Sequence, residues 1–218
     1  MRVQNINTIL WDWNGTLLND MSLCIKSMNR LLKQRKLPLL CSDRYLQVFT
    51  FPVKDYYSKL GFDFATEPFE IPAEEFILHY TAGISQVPLF NDAVSVLDYF
   101  EKKGYRQYIV SAMEHSALIQ SVKERNILHY FQKVAGINDN LAFGKTTIAR
   151  QLISDQKIDT TRCVFIGDTL HDAEVASEIN VQSLLISKGH QHHERLKKTG
   201  NPVLNSLYDV ISFIDAES

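Results

Sequence analysis

Apolar residues recur along this chain at two spacings, and the switch between them marks its organisation. The run from Ile6 to Trp11 drives straight into Asp12-Trp13-Asn14-Gly15-Thr16-Leu17. An apolar stretch stopped by a carboxylate, an amide and a glycine predicts a buried strand ending in a tight loop. Over residues 19–36 the apolar positions Leu23, Met28, Leu31 and Leu32 fall at helical spacing. Further helical patterns cover 42–49, 53–60 and 72–85, punctuated by Pro38, Pro52, Gly61, Pro68 and Pro72. Pro72, Glu74 and Glu75 suit a helix start, where a missing N–H costs nothing and carboxylates meet the positive end of the dipole. No strand pattern interrupts them, so residues 18–86 are expected to form an all-helical insertion.

From Val87 the pattern alternates. A helix at 91–103 closes at Gly104, a strand at 105–110 stops at Ser111, and a helix spans 116–126. A strand at 133–135 leads to a loop with Gly144 and Lys145, then a helix at 146–155. A strand at 163–166 ends in Gly167-Asp168, followed by a helix at 172–179, a strand at 183–186 and a helix at 206–214. Repeated βα units predict an α/β fold, a Rossmann-like parallel sheet with helices on both faces. The expected domains are a core of residues 1–17 and 87–218 and a helical unit of residues 18–86.

Composition narrows the function. With 218 residues, 45% of them hydrophobic, the chain can bury a core and still carry an insertion. A net charge of −2 leaves no basic footprint for nucleic acid or an anionic membrane, so neither partner is expected. The first residues lack a secretory apolar segment, which makes a cytoplasmic location the default expectation. Cys24, Cys41 and Cys163 are odd in number and show no CxxC spacing, as expected of reduced thiols. His190, His192 and His193 lie in a polar stretch without a carboxylate or cysteine at ligand spacing and are expected in a surface loop.

The chemistry lies at the strand ends. Asp12, Ser111 and Asp168 each end a predicted strand, and a parallel sheet brings those ends to the edge where such folds bind ligands. Two facing carboxylates repel unless a cation sits between them, and Mg²⁺ is held by one or two carboxylates plus phosphate oxygens. Asp12 and Asp168 suit that ion. Lys145 at a helix's amino end faces the unfavourable pole of the dipole, which a nearby anion would explain. Gly144-Lys145-Thr146 is no P-loop, because Asp139 stands where that motif needs glycine. Asp172, one turn beyond Asp168, can orient the ligands of the ion.

Together Asp12-Trp13-Asn14-Gly15-Thr16, Ser111, Lys145 and Gly167-Asp168 to Asp172 resemble, in order, the four motifs of the haloacid dehalogenase-like hydrolases, near the phosphoglycolate phosphatase type. The insertion resembles that family's helical cap. The resemblance implies a Mg²⁺-dependent phosphatase acting on a small phosphorylated metabolite. In it Asp12 is the nucleophile and forms an aspartyl-phosphate. Mg²⁺ is held by Asp12, Asp168 and the backbone carbonyl of Asn14. Ser111, backbone N–H groups near Ala112, and Lys145 bind the phosphoryl oxygens.

Asn14 departs from the pattern. Phosphatases of the family carry an acid/base Asp there, and an amide exchanges no proton at neutral pH. Slow turnover, substrates with good leaving groups, or another proton donor are the expected consequences. Two alternatives follow. Phosphonoacetaldehyde hydrolases also lack that Asp and use a cap lysine, for which Lys54 is the candidate, although its segment also resembles the ordinary specificity loop of the cap. A phosphate-binding or regulatory protein weakened in catalysis is the other.

Overall fold

The computed structural model of the chain describes residues 5–137 and 144–216. Asp139, on which the exclusion of a P-loop rests, lies outside them. Strand β1 (Thr8–Trp11) is buried at every position. Its side chains alternate between two cores, with Ile9 and Trp11 in one cluster and Leu10 in the other, as period-two alternation in a doubly covered sheet requires. Trp11 Nε1 donates to Gln107 Oε1 at 3.0 Å, and Gln107 Nε2 donates to the Leu97 carbonyl at 2.9 Å, so the polar atoms buried with them are satisfied.

Four helices make up the insertion: α1 (Met21–Gln34), α2 (Ser42–Val48), α3 (Val53–Lys59) and α4 (Glu70–Ile84). Pro72 sits in the first turn of α4. The rest alternates: α5 (Ala93–Lys102), β2 (Arg106–Glu114), α6 (His115–Glu124), β3 (Lys133–Ile137), α7 (Lys145–Gln156), β4 (Cys163–Gly167), α8 (Leu170–Glu178), β5 (Gln182–Ile186), α9 (His193–Leu196), β6 (Val203–Leu204) and α10 (Leu207–Ala216). Among the described residues six strands pair in the order β3-β2-β1-β4-β5-β6, every pair parallel. This is the α/β sheet with a helical cap inserted after its first strand that the alternation predicts.

Two features escape the sequence pattern. The strand expected to stop at Ser111 continues to Glu114 through a register shift against β3, because backbone pairing resumes after the irregularity whatever side chains sit there. The two-residue β6 is too short to leave a periodic signal.

The two crossings between sheet and insertion lie side by side. Leu18 bridges Leu89 in antiparallel sense, Asn19 N–H donates to the Pro88 carbonyl and Phe90 N–H to the Leu17 carbonyl, both at 3.0 Å. The Arg125 guanidinium, just past the end of α6, donates to the Ile84 and Val87 carbonyls at 2.6 and 2.7 Å, tying the second crossing to the sheet layer. The insertion therefore leaves and returns over the carboxyl edge of the sheet.

Candidate active site

Asp12 is the first residue past β1, and its N–H donates to the Ile166 carbonyl of β4 at 2.8 Å. The neighbouring strand thus fixes where the carboxylate stands. The loop then folds on itself, with Leu17 and Leu18 N–H groups donating to the Trp13 carbonyl at 3.0 and 2.9 Å. Gly15 makes this possible twice over. Its φ of +78° lies in the left-handed region, and a Cβ there would run into Asp168 Oδ2 and His190 Cδ2.

Asp168 stands just beyond β4, so it reaches the same edge. Its Oδ1 accepts from Thr16 Oγ1 at 3.0 Å and its Oδ2 from the His190 backbone N–H at 2.6 Å. Asp172 closes the set as part of a capping box on α8: its Oδ2 accepts from Thr169 Oγ1 at 2.7 Å and from the backbone N–H groups of Asp168 and Thr169. Its other oxygen lies 2.5 Å from Lys145 Nζ. Lys145 begins α7, is buried, and bonds Asp12 as well.

Asp12, Asp168 and Asp172 are all buried with carboxylate oxygens within 4.8 Å of one another, and one lysine, Lys145, bonds two of them. The electrostatics record that imbalance. Burial, with repulsion from Asp172 and Asp168, outweighs the pull of Lys145 and raises the Asp12 carboxyl to about 8. Burial and Asp172 raise Asp168 to about 6, against the pull of His190. Asp172 is buried too, yet the charge and hydrogen bond of Lys145 hold it below the usual carboxylate range. A hard divalent cation with oxygen preference fits this donor set, since it would neutralise the excess negative charge.

Ser111 lies buried within β2, where its Oγ accepts from the Met113 N–H at 3.1 Å. Ser111, Ala112, Lys145, Asp12, Asn14, Asp168 and Asp172 line one cavity of about 220 Å³. Of the candidate site residues named from the sequence, Lys54 is the one that stays away: it is exposed, with Nζ 5.5 Å above the Phe64 ring.

A second buried polar cluster joins this cavity, and the sequence pattern does not reveal it. Asp20 precedes α1 but does not cap it; its carboxylate turns inward. It accepts from Asn14 Nδ2 at 2.9 Å, Gly15 N–H at 2.9 Å, Tyr80 O–H at 2.7 Å and Cys24 S–H at 3.5 Å, and pairs with His190 Nε2 at 3.1 Å. His190 Nδ1 lies 2.8 Å from the Tyr45 hydroxyl. Burial pulls His190 down, but Asp20, then Asp168 and Asp12, outweigh it and raise the imidazole to about 9. Asp20 is held below its usual value, because the His190 charge and the hydrogen bonds overcome burial.

His190 is therefore buried, contrary to the surface loop expected of it, because its backbone N–H caps Asp168 and its ring pairs with Asp20. His192 does behave as a local residue, accepting the Glu194 N–H at the start of α9. Through that segment the sheet grips the cap: Arg195 Nη1 donates to the Leu46 and Phe49 carbonyls at 2.9 and 2.7 Å, and Gln191 Nε2 to Phe49 at 3.1 Å.

The haloacid dehalogenase-like hydrolase family model matches residues 9–186, a stretch that contains all of these groups except His190 and the segment after it. Curated protein sequences give no match. Solved structures similar in fold include a predicted phosphatase from Clostridium acetobutylicum, with TM-score 0.80 and 19% identity over 96% of this chain and 98% of that one. A predicted phosphoglycolate phosphatase from Haemophilus somnus gives TM-score 0.76 and 14% identity over 95% and 97%. CbbY from Rhodobacter sphaeroides, crystallised with xylulose-(1,5)bisphosphate, gives 0.71 and 15% over 93% and 95%. Among the described residues no helix is long and apolar enough to cross a membrane. With the family model spanning the sheet from β1 to β5, the insertion and the strand ends that carry Asp12, Ser111 and Asp168, the chain belongs to the haloacid dehalogenase-like hydrolases.

Proposed function

We propose that this hydrolase removes phosphate from small phosphorylated metabolites with the help of Mg²⁺, through a phosphoryl group carried on Asp12. The observation that carries this reading is the buried triad of Asp12, Asp168 and Asp172 around one lysine, an excess of negative charge that a divalent cation would balance. Asp12, Asp168 and the Asn14 carbonyl would hold the ion, which supplies charge neutralisation for the phosphoryl oxygens. Asp172 holds Lys145 in place and buttresses the backbone at Asp168. Ser111, the backbone near Ala112, and Lys145 face the phosphoryl oxygens from the other side, where donors fixed in advance stabilise developing charge.

The chemistry runs in two displacements. An Asp12 carboxylate oxygen attacks phosphorus as the ester P–O bond breaks toward the leaving oxygen; water then attacks the phosphoenzyme, releasing phosphate and restoring the carboxylate. The 18–86 unit acts as a cap domain over the core of 1–17 and 87–218, with the paired crossings at Leu18 and Leu89 as its hinge, and excludes bulk water during transfer. The expected location is the cytoplasm. Lys54, exposed and outside the cavity, lends no support to a Schiff-base mechanism.

A panel of small phosphate esters assayed for phosphate release with and without Mg²⁺, with Asp12→Asn as control, tests the reading. Metal-dependent release lost in the variant supports it. Phosphate binding without any turnover would instead favour a binding or regulatory protein.

A further inference from the structure

The cavity is two-sided. Its floor carries the carboxylates, Ser111 and Lys145, while Phe49, Phe51, Tyr56, Phe76, Ile77 and Tyr80 form the wall contributed by the insertion. These rings pack on one another, Phe49 against Phe51 at 5.5 Å and against Tyr56 at 5.2 Å, and Phe51 reaches His171 at 4.7 Å. Among the described lining residues, no lysine or arginine besides Lys145 is present, and Lys145 is committed to Asp12 and Asp172. The wall's spare polar group is the Tyr56 hydroxyl, buried, unpartnered and neutral. The other cation in the lining, His190, is committed to Asp20, so a carboxylate or second phosphate on the substrate tail would lose its hydration here with no uncommitted charge to receive it. A dry cavity of about 150 Å³ accepts benzene, and this one measures about 220 Å³.

The floor sets a second condition. Asn14 Nδ2 is tied to Asp20 and to the Tyr80 hydroxyl at 2.9 and 2.6 Å, which leaves its Oδ1, an acceptor, for the cleft. Such an oxygen can align the attacking water but cannot protonate a leaving oxygen. Nor can the neighbours readily supply a proton: His190 has both ring nitrogens engaged, and the Tyr80 hydroxyl donates to Asp20. A leaving oxygen that departs well as an anion suits this site, and an alkoxide does not.

Both conditions point to one class. Building on the phosphatase reading above, we propose that the substrate is a small aryl phosphate monoester with no second anionic group, its ring seated against the aromatic wall. Asp12 forms the new P–O bond while the aryl–oxygen–phosphorus link breaks at phosphorus. The electron pair leaves on the aryl oxygen, which takes a proton from water. Hydrolysis of the phosphoenzyme then consumes one water and frees inorganic phosphate.

Steady-state kinetics with Mg²⁺ on phenyl phosphate, 4-carboxyphenyl phosphate, benzyl phosphate and phosphoglycolate test this. The 4-carboxyl group does not worsen the leaving group, so intrinsic reactivity cannot produce a preference for phenyl phosphate. We expect kcat/KM to favour phenyl over 4-carboxyphenyl phosphate by about 10-fold or more, expressed mainly in KM. Phenyl should exceed benzyl phosphate by about 10²-fold or more, expressed in kcat, the scale of missing general-acid help. Ile77→Arg, a change at a largely exposed wall position, should restore 4-carboxyphenyl phosphate toward parity. Equal or better turnover of phosphoglycolate or 4-carboxyphenyl phosphate, or an unchanged preference in Ile77→Arg, overturns this proposal and leaves the phosphatase reading standing. No turnover of any ester overturns both.

Discussion

Two buried polar clusters share one cavity, and they differ in their charge balance. Around Asp12 three carboxylates meet one lysine; around Asp20 one carboxylate meets one imidazole raised to about 9, with Asn14, Tyr80 and Tyr45 taking up the remaining hydrogen bonds. The second cluster is complete as it stands. The first is not, and burial together with repulsion from Asp172 and Asp168 raises Asp12 to about 8. Burying charge costs several kcal/mol per ion unless it is paired, so an unbalanced cluster persists where a ligand completes it, and a balanced one serves to hold parts together. Here the balanced cluster joins the Asn14–Gly15 loop, α1, α4 and the 190–195 segment, the pieces that must stay in register when the cap sits over the sheet edge.

The sharpest way to break the comparison is to remove one carboxylate from each cluster. Asp12→Asn should lower kcat on the order of 10⁶-fold, as loss of a covalent nucleophile does, while metal-free melting temperature holds or rises because repulsion is relieved. Asp20→Asn should do the reverse to stability: removing one member of a buried pair costs about 3–5 kcal/mol, measurable by urea denaturation. Equal stability losses in both variants would erase the distinction.

Metal should distinguish the clusters next. At Mg²⁺ a hundredfold above its dissociation constant the native state gains about 2.7 kcal/mol, seen as a rise in melting temperature that EDTA reverses. Asp168→Asn should abolish that gain, and His190→Gln should keep most of it.

The smallest effect is a pH dependence. The folded His190 value near 9 lies above the ordinary 6.5, so its contribution is complete below pH 6.5 and is lost as pH rises through about 9. Asp20 lies below its ordinary 3.8, so its contribution holds above that value and fades as pH falls further. The raised Asp12 and Asp168 also lose stability as pH rises, between 3.8 and about 8 or 6. Melting temperature between pH 6.5 and 9.5 should therefore fall less steeply in His190→Gln than in the parent, the difference isolating the pair.

Asp12, Ser111, Lys145 and Asp168 were legible in the sequence because each sits where an apolar run or a helix start breaks. Asp20 carried no such mark. It precedes a helix, where aspartate is ordinary as a cap, and only its partners reveal that its side chain turns inward. Tyr80 lies 60 positions from it and Tyr45 lies 145 from His190, so no local pattern could join them. His190 looked like surface for the same reason: its segment is polar, and its burial follows from a backbone bond to Asp168. Lys54 shows the opposite error of local reading, a suggestive lysine in the insertion that folding leaves in solvent.

By itself the sequence determined the parallel sheet, the inserted helices and the residues at the strand ends, because hydrophobic period and its interruptions are local properties that survive in one dimension. The tertiary structure alone decided what stands beside Asn14. Which way its amide points, which charges are balanced and which wall faces the phosphate all depend on distances between groups far apart in the chain.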